Sequence, residues 1–585
     1  MRLDPLRAAL VAAATAVVLA ACGGDGGSEG GSSPPPPTVD KPATRDDAAR
    51  FLAQATFGPV DADIDRVMAI GYAAWIDEQL TRAPVQTHRA HWEARDAEIK
   101  AANPANSAGQ SEVFESFWKQ AVTGPDQLRQ RMAYALSQIM VISMVDGTVG
   151  DNPRAVADYL DMLGERGLGN YRGLLEAVSR HPMMGAYLSH LRNQKANAAT
   201  GRVPDENYAR EVMQLFSIGL VELNTDGSAK AGPGGAALET YAPADISGLA
   251  KVFTGWSWDC PAFPATGCFN NGTSGGATDP DRWFKPMLGY PAFHSTEAKT
   301  FLGTTIAAQT TADPSVSLAA ALDRLHNHPN VGPFIGRQLI QRFVTSNPSP
   351  AYVGAVAAAF NDNGAGVRGD LKAALKAVLL HAEARTRSDT SGKVREPVLR
   401  LAAFLRAFPH ASDSGNYRVG NTDNPGVSLG QTPMRAPSVF NFYRPGFVPP
   451  GTLTAARNLV APEMQLASET TAAGYVNTMR DNLSAGVGLS NGAPFNRRDL
   501  QGNYAAELAL ATDAPALVER VTSRLTYGAA GAALKAEIAG AVGSIVVPAL
   551  NTGGTNQAQV DAAKRNRVNA AILLTLAAPE FVVLR

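Results

Sequence analysis

From Thr44 onward the apolar positions recur every three or four residues, the period of one buried helical face. In "TRDDAARFLAQATFGP", Thr44 with Asp47 three residues later reads as a capping box. Phe51, Leu52 and Ala55 fall on one side, and Gly58-Pro59 ends the segment. Tyr72, Trp75, Ile76 and Leu80 keep the same spacing in "YAAWIDEQL". Further segments with this period are "QLRQRMAYALSQIMVIS", "AVADYLDML", "YRGLLEAVS", "VSLAAALDRLHNH", "VGPFIGRQLIQRFV" and "AYVGAVAAAF". Gly, Asn, Asp and Pro turns join them, and no series of alternating strands intervenes. The expected class is mainly α: a large multi-helical domain over 44–585, with long irregular loops and a helical C-terminal subdomain as a candidate from about residue 452. The loops fall at 224–240, 257–297 and 411–450, where they either cover a cavity or wrap the helices.

The first residues break this pattern. Arg2 and Arg7 form a basic start, Ala8 to Ala21 is apolar, and Leu19-Ala20-Ala21-Cys22 resembles a bacterial lipobox. The apolar run is short for a membrane-spanning helix. Residues 1–21 therefore read as a lipoprotein signal peptide and Cys22 as the lipidated residue. Gly23 stands where inner-membrane retention commonly uses Asp, which favours the outer membrane. Residues 22–43, rich in Gly, Ser and Pro, read as a disordered tether. The expected location is the bacterial cell envelope, with the chain anchored to the membrane by lipid.

Composition narrows the partners. Hydrophobic residues make up 45% of the chain and charged ones 18%, with 52 Lys and Arg against 53 Asp and Glu. So balanced a surface lacks the basic field of a nucleic-acid binder. In "DCPAFPATGC", Cys260 and Cys268 are placed to close a short disulfide loop in an oxidising envelope. Two free thiols or a two-cysteine metal site are the alternatives, although a structural zinc site takes four ligands.

A longer set of motifs carries a resemblance. "FLAQATFGP", "GYAAWIDEQL", "ALSQI", "HPMMGAYLSHLRNQK", "PDENYAREVMQLFSIGL", "VFTGW", "FHSTEAKTFLG", "HPNVGPFIGRQLIQRFVTSNPSPAYV", "GVRGDLKAALKAVLLHAEAR", "GKVREPVLR", "APSVFNFYRPGFVPPG" and the terminal "NAAILLTLAAPEFVV" follow one another through residues 46–585. The ordered set resembles the large bacterial DUF1800 family, whose members are often secreted. Many are encoded beside DUF1501 proteins, which resemble alkaline phosphatases and sulfatases. The resemblance thus implies a DUF1501-class protein as candidate partner and assigns no catalytic residue.

Candidate chemistry sits in three places. In "PDENYAREVMQLFSIGL", Tyr208, Val212, Leu215, Phe216 and Gly219 form the apolar stripe, while Glu206, Arg210 and Gln214 occupy another face. Asp205, Glu206 and Glu211 are candidate acid–base groups or metal oxygens at a cavity mouth. On the structural reading Asp205 caps the helix and Glu211 holds Arg192 or Arg210, so that Glu211→Gln costs about 1–3 kcal/mol. His181, His190 and His294 are candidate imidazoles to join Glu211, as base or metal ligands, with Arg192 beside them. No HExxH, CxxCH or compact Asp-rich motif names a metal or cofactor. Gly272-Thr273-Ser274-Gly275-Gly276 fits GxSxG but lacks the flanking strand and helix of a nucleophile elbow.

The third place is basic. Arg337, Arg342 and Asn347, with Arg435, Tyr443 and Arg444, are candidate donors to an anionic or sugar-like ligand, with Phe440, Phe442 and Tyr443 as an apolar wall. The alternative is that they tie a proline-rich loop to the helices. Two function classes follow: a binding or accessory factor for a secreted partner, or an envelope hydrolase with an acidic and histidine site. A cavity holding Glu211, a histidine and an arginine within bonding reach is the mark of the second.

Overall fold

Thr44 accepts from Asp47 N while the Asp47 carboxylate accepts from Thr44 N, closing the capping box at the start of the helix Arg45–Ala55. The computed structural model describes residues 40–388 and 390–585. The signal peptide, Cys22 and nearly all of the tether of the sequence reading lie outside the described residues. Among those described, 51% of the chain is helix and 7% strand, so the class is mainly α.

Three groups of helices build the core. Gln110–Thr123, Gln127–Ser137, Pro153–Arg166 and Tyr171–Arg180 pack with one another near the N-terminus. Val331–Phe343 lies against Pro350–Asn361, which in turn meets Leu371–Leu380. Near the C-terminus, Ala514–Thr526, Ala532–Gly543 and Gln557–Ala577 pack on each other, and Pro397–Ala407 connects them to the first group. A continuous set of buried apolar side chains runs through all three, from Ala48 to Phe581, and Asp40–Arg585 is one compact unit. The part from Asp40 onward thus contains the whole of its own core.

The strands are short and antiparallel. Lys393–Val394 pairs with Val583–Leu584, bringing the C-terminus beside residues central to the site below. His410–Ser412, Arg498–Gly502 and Val487–Ser490 form a three-stranded sheet with Arg498–Gly502 in the middle. The helical period of "QLRQRMAYALSQIMVIS" ends at Ser137, earlier than expected. The residues after it stay buried because they are apolar on every side, and the chain turns so that Gln138 reaches Glu396.

Cys260 and Cys268 are joined, with Cα atoms 5.7 Å apart and a sequence separation of 8. They pack with Phe269 and Tyr290 in a small cluster of their own. Chain entropy for so short a loop gives the bond about 2.5 kcal/mol. The Cys260→Ser, Cys268→Ser double variant is expected to lose about that much in non-reducing thermal unfolding. Unchanged stability would mean that the aromatic cluster alone holds the loop.

Candidate functional site

Asn330 organises one wall of the main cleft. Fully buried before the helix Val331–Phe343, its amide donates to Ile218 O at 2.9 Å and Val221 O at 2.8 Å, and its oxygen accepts from Leu223 N at 2.9 Å. The segment after the helix Asn207–Gln214 is thereby pinned across the start of the second helix. At Gly219, with φ +73°, a Cβ would lie 2.7 Å from the Phe334 ring, so only glycine allows this approach. The opposite wall is the end of the long loop, residues 439–446, held by Gln341 donating to Pro445 O at 3.1 Å.

Between these walls lies a cleft of about 420 Å³. Leu215, Leu220, Val221, Phe334, Val439 and Phe440 give it an apolar surface. Its polar groups are Arg337, Arg342, Arg444, Gln138, Gln214, Gln338, Gln341 and Tyr443, and among the described residues no aspartate, glutamate or histidine lines it. Arg342 is buried and donates to Gln138 O at 2.9 Å and Gln338 O at 3.4 Å. Gln338 Nε2, Gln341 Oε1 and Arg342 Nε are buried without a hydrogen-bond partner among the described residues. Each such group costs about 1–3 kcal/mol unless something completes it.

Under the floor is a buried charged network. The Glu396 carboxylate accepts from Gln138, Gln431 and Tyr443. Arg131 and Lys393 both donate to Arg342 O, and Lys393 Nζ lies 2.9 Å from Glu463 Oε1. Burial, followed by the negative charge of Glu396, raises the Tyr443 phenol well above its ordinary value. Burial likewise pulls the pKa of Lys393 down and pushes that of Glu463 up, ahead of their mutual attraction. Tyr443 thus belongs to both floor and network.

The candidates from the sequence are scattered. Asp205 is a structural turn residue: its Oδ1 accepts from Asn207 N at 2.9 Å and Ser189 Oγ at 3.0 Å. Glu206 accepts from Ser247 Oγ at 2.7 Å and lies 3.8 Å from Arg210. Arg192 donates to Asn270 O at 3.1 Å. His181 caps the short helix Pro182–Tyr187 and lies 3.4 Å from Asp158. His190 Nε2 donates to Ser179 O at 2.8 Å and its ring stacks on Tyr208, and burial lowers its pKa to about 4. His294 sits between Thr254 O at 2.8 Å and Ser317 Oγ at 2.9 Å, and its pKa is also lowered to about 4, first by burial. The expected meeting of these imidazoles with Glu211 does not occur. Among the described residues no group of three or more His, Cys, Asp and Glu is arranged to hold a metal ion. Each histidine is instead spent on partners of its own: Asp158 and Met183 N for His181, Ser179 O for His190, and Thr254 O with Ser317 Oγ for His294.

The basic set divides. Arg337, Arg342, Tyr443 and Arg444 line the cleft, with Phe440 but not Phe442. Asn347 instead exchanges two hydrogen bonds with the Val460 backbone, at 2.8 and 2.9 Å. Arg435 pairs with Asp423 at 2.7 Å and Gln110 at 2.6 Å. Asn347 thus ties two loops together, and Arg435 ties its loop to the start of the helix Gln110–Thr123. Ser274 of the GxSxG segment lies exposed on a turn, with no strand leading into it.

Glu211 corrects another expectation. It is buried, as its place on the wheel implies, but neither Arg192 nor Arg210 bonds to it, and its Oε2 has no partner among the described residues. Burial raises its pKa, with Arg210 only partly opposing. A carboxyl whose folded value is raised holds more protons folded than unfolded above its unfolded value near 4.5, so its contribution falls as pH rises through that window. Glu211→Gln is therefore expected to be as stable as the parent or more so at pH 7, by on the order of 1 kcal/mol, and to flatten this slope. Urea unfolding at several pH values measures it. A loss at pH 7 would mean that the ionised carboxylate has a partner in solution.

Sequence reasoning passed over Asn330, Arg131, Lys393, Glu396 and Glu463. Their signal was polar residues embedded in apolar runs, as in "GKVREPVLR" and "HPNVGPF".

A family model described as "Protein of unknown function (DUF1800)" matches residues 50–583. The chain belongs to the DUF1800 family. No curated protein and no solved structure matches it. In this DUF1800 protein the segments "PDENYAREVMQLFSIGL", "HPNVGPFIGRQLIQRF" and "APSVFNFYRPG" meet at the cleft, and "GKVREPVLR" supplies the network beneath.

Proposed function

We propose that this DUF1800 protein is a lipid-tethered envelope protein that binds a small organic ligand in the cleft and acts as an accessory factor for a secreted partner, with a DUF1501-class protein as the candidate. The carrying observation is the cleft of about 420 Å³, apolar in its walls, whose lining residues include three buried polar atoms without a partner among the described residues. A few directional polar groups in an apolar concavity are the ordinary make-up of a small-molecule site. Among the described residues no carboxylate or imidazole side chain lines the cleft, and these are the groups on which the hydrolase reading relied.

The anchor is checked by an acyl mass on Cys22 in the mature protein. The cleft is checked by a blocking variant. Leu220 is 55% exposed at its edge, so Leu220→Trp fills space without disturbing the core. Both proteins are passed through envelope extract and the retained compounds identified by mass spectrometry. A compound enriched on the parent and lost from Leu220→Trp is expected. An identical retained set on both would overturn the reading.

A further inference from the structure

We propose that the ligand of this cleft is an amphipathic anion, its carboxylate or phosphate held by Arg337 and Arg444 and its apolar body laid on Leu215, Leu220, Phe334 and Phe440. This rests on the reading of the cleft as a binding site and names the chemistry of what enters it.

Charge complementarity carries the proposal. Three arginines line the cleft with no carboxylate among the lining residues. Glu396 and Glu463 act on Arg342 from beneath the floor, which leaves Arg337 and Arg444 as the two cations of the lining without an acid among the described residues. Arg342 is committed to Gln138 O and Gln338 O. The Arg337 guanidinium has no hydrogen bond or ion pair among the described residues, although it rises from the middle of the helix Val331–Phe343. Its side chain is open to solvent at the cleft, and no neighbouring carboxylate among the described residues acts on it. Arg444 places its guanidinium 4.7 Å from the centre of the Phe440 ring and likewise has no ion-pair partner among the described residues. Arg154 and Arg435, by contrast, are spent on acids, Glu93 and Asp281 for the first and Asp423 for the second.

The remaining unpartnered groups are two donors and one acceptor, Gln341 Oε1, so the preference for an anion rests on the two free guanidiniums. Gln338 Nε2 and Arg342 Nε are donors, which an anion completes and a cation does not. A planar guanidinium matches the oxygens of a carboxylate or phosphate with paired, charge-assisted bonds. The contact of Arg444 with the Phe440 ring holds the guanidinium near the cleft, so less freedom is lost when it binds. The anion thus sits beside an aromatic surface, and the apolar remainder of the ligand covers that surface.

The test uses the Asp40–Arg585 part, which contains its own core, and four probes that share one apolar body. These are 4-phenylbutyrate, 4-phenylbutyl phosphate, 4-phenylbutanol and 4-phenylbutylamine, titrated calorimetrically into the parent, Arg337→Gln, Arg444→Gln and Leu220→Trp. Inorganic phosphate and acetate are run alone. At least one anionic probe is expected to bind about tenfold or more tighter than the alcohol, as charged hydrogen bonds predict, and to weaken with salt. Each arginine variant is expected to lose about fivefold to tenfold for that anion and almost nothing for the alcohol. Acetate and phosphate alone are expected to bind far more weakly, because they leave the apolar wall uncovered. If the alcohol or amine binds as tightly as the anions, and Leu220→Trp abolishes that binding, the anion proposal fails while the cleft stands. If no probe shows binding that Leu220→Trp removes, the cleft reading fails and takes the proposal with it.

Discussion

Lys393→Met is expected to lower the free energy of unfolding by about 3–5 kcal/mol at pH 7. The Lys393 and Glu463 side chains are only 1% and 2% exposed, so water cannot replace either partner. Removing the ammonium leaves the Glu463 carboxylate buried without its counter-charge. The pair itself is a poor source of stability, because burial is the first cause of both pKa shifts and moves each group toward its neutral form. The double variant Lys393→Met, Glu463→Met is accordingly expected to recover most of the loss, to within about 1–2 kcal/mol of the parent. In the single variant the loss shrinks as pH falls toward 4.5, the ordinary value for Glu463, since a folded-state pKa above that value favours the folded state once the carboxyl is protonated. Urea midpoints of the parent, both single variants and the double variant give the coupling directly. A Lys393→Met protein within about 1 kcal/mol of the parent at pH 7 would mean that Arg131 or Arg342 takes over the carboxylate.

Arg406→Met is expected to cost a similar amount, about 3–5 kcal/mol. From the helix Pro397–Ala407, its guanidinium donates to Gly58 O, to Val122 O at 2.7 Å and to Asp63 Oδ2 at 3.1 Å. One side chain thus joins the turn after the first helix, the end of Gln110–Thr123 and the helix Asp61–Ile70. The approach is tight: at Gly58, with φ +141°, a Cβ would lie 2.9 Å from Ala403 Cα. Burial lowers the Arg406 pKa to about 10 against the pull of Asp63, which leaves it charged at neutral pH. Methionine would strand two carbonyls and a half-buried carboxylate. Arg406→Lys keeps the charge but cannot serve three directions at once, and is expected to fall between parent and methionine variant. Equal stability of Arg406→Lys and the parent, read from urea midpoints, would show that charge alone matters here.

The helical class was legible because each helix writes its own period into consecutive residues. Thr44 and Asp47, or Tyr72 with Trp75, Ile76 and Leu80, need no distant partner to be read, and the local signal survives folding. Cys260 and Cys268 were legible for the same reason, their separation being a property of the chain. Burial of Glu211 followed from its place on the wheel, since that depends on one helix and the side it turns inward.

Its missing partner did not follow. A charge finds its partner through the placement of other segments, and Arg210 turns to Glu206 while Arg192 turns to Asn270. The same holds for the basic set. Arg337 and Arg435 look alike in sequence, yet Arg435 finds Asp423 and Arg337 faces a cleft wall without an acid. The sequence by itself determined which segments are helices, which faces turn inward and where chemistry-bearing residues stand along the chain. Only the tertiary structure decided which of those residues are spent on one another and which are left for a ligand, because hydrogen bonds and ion pairs act over a few ångströms between segments that the chain keeps hundreds of residues apart.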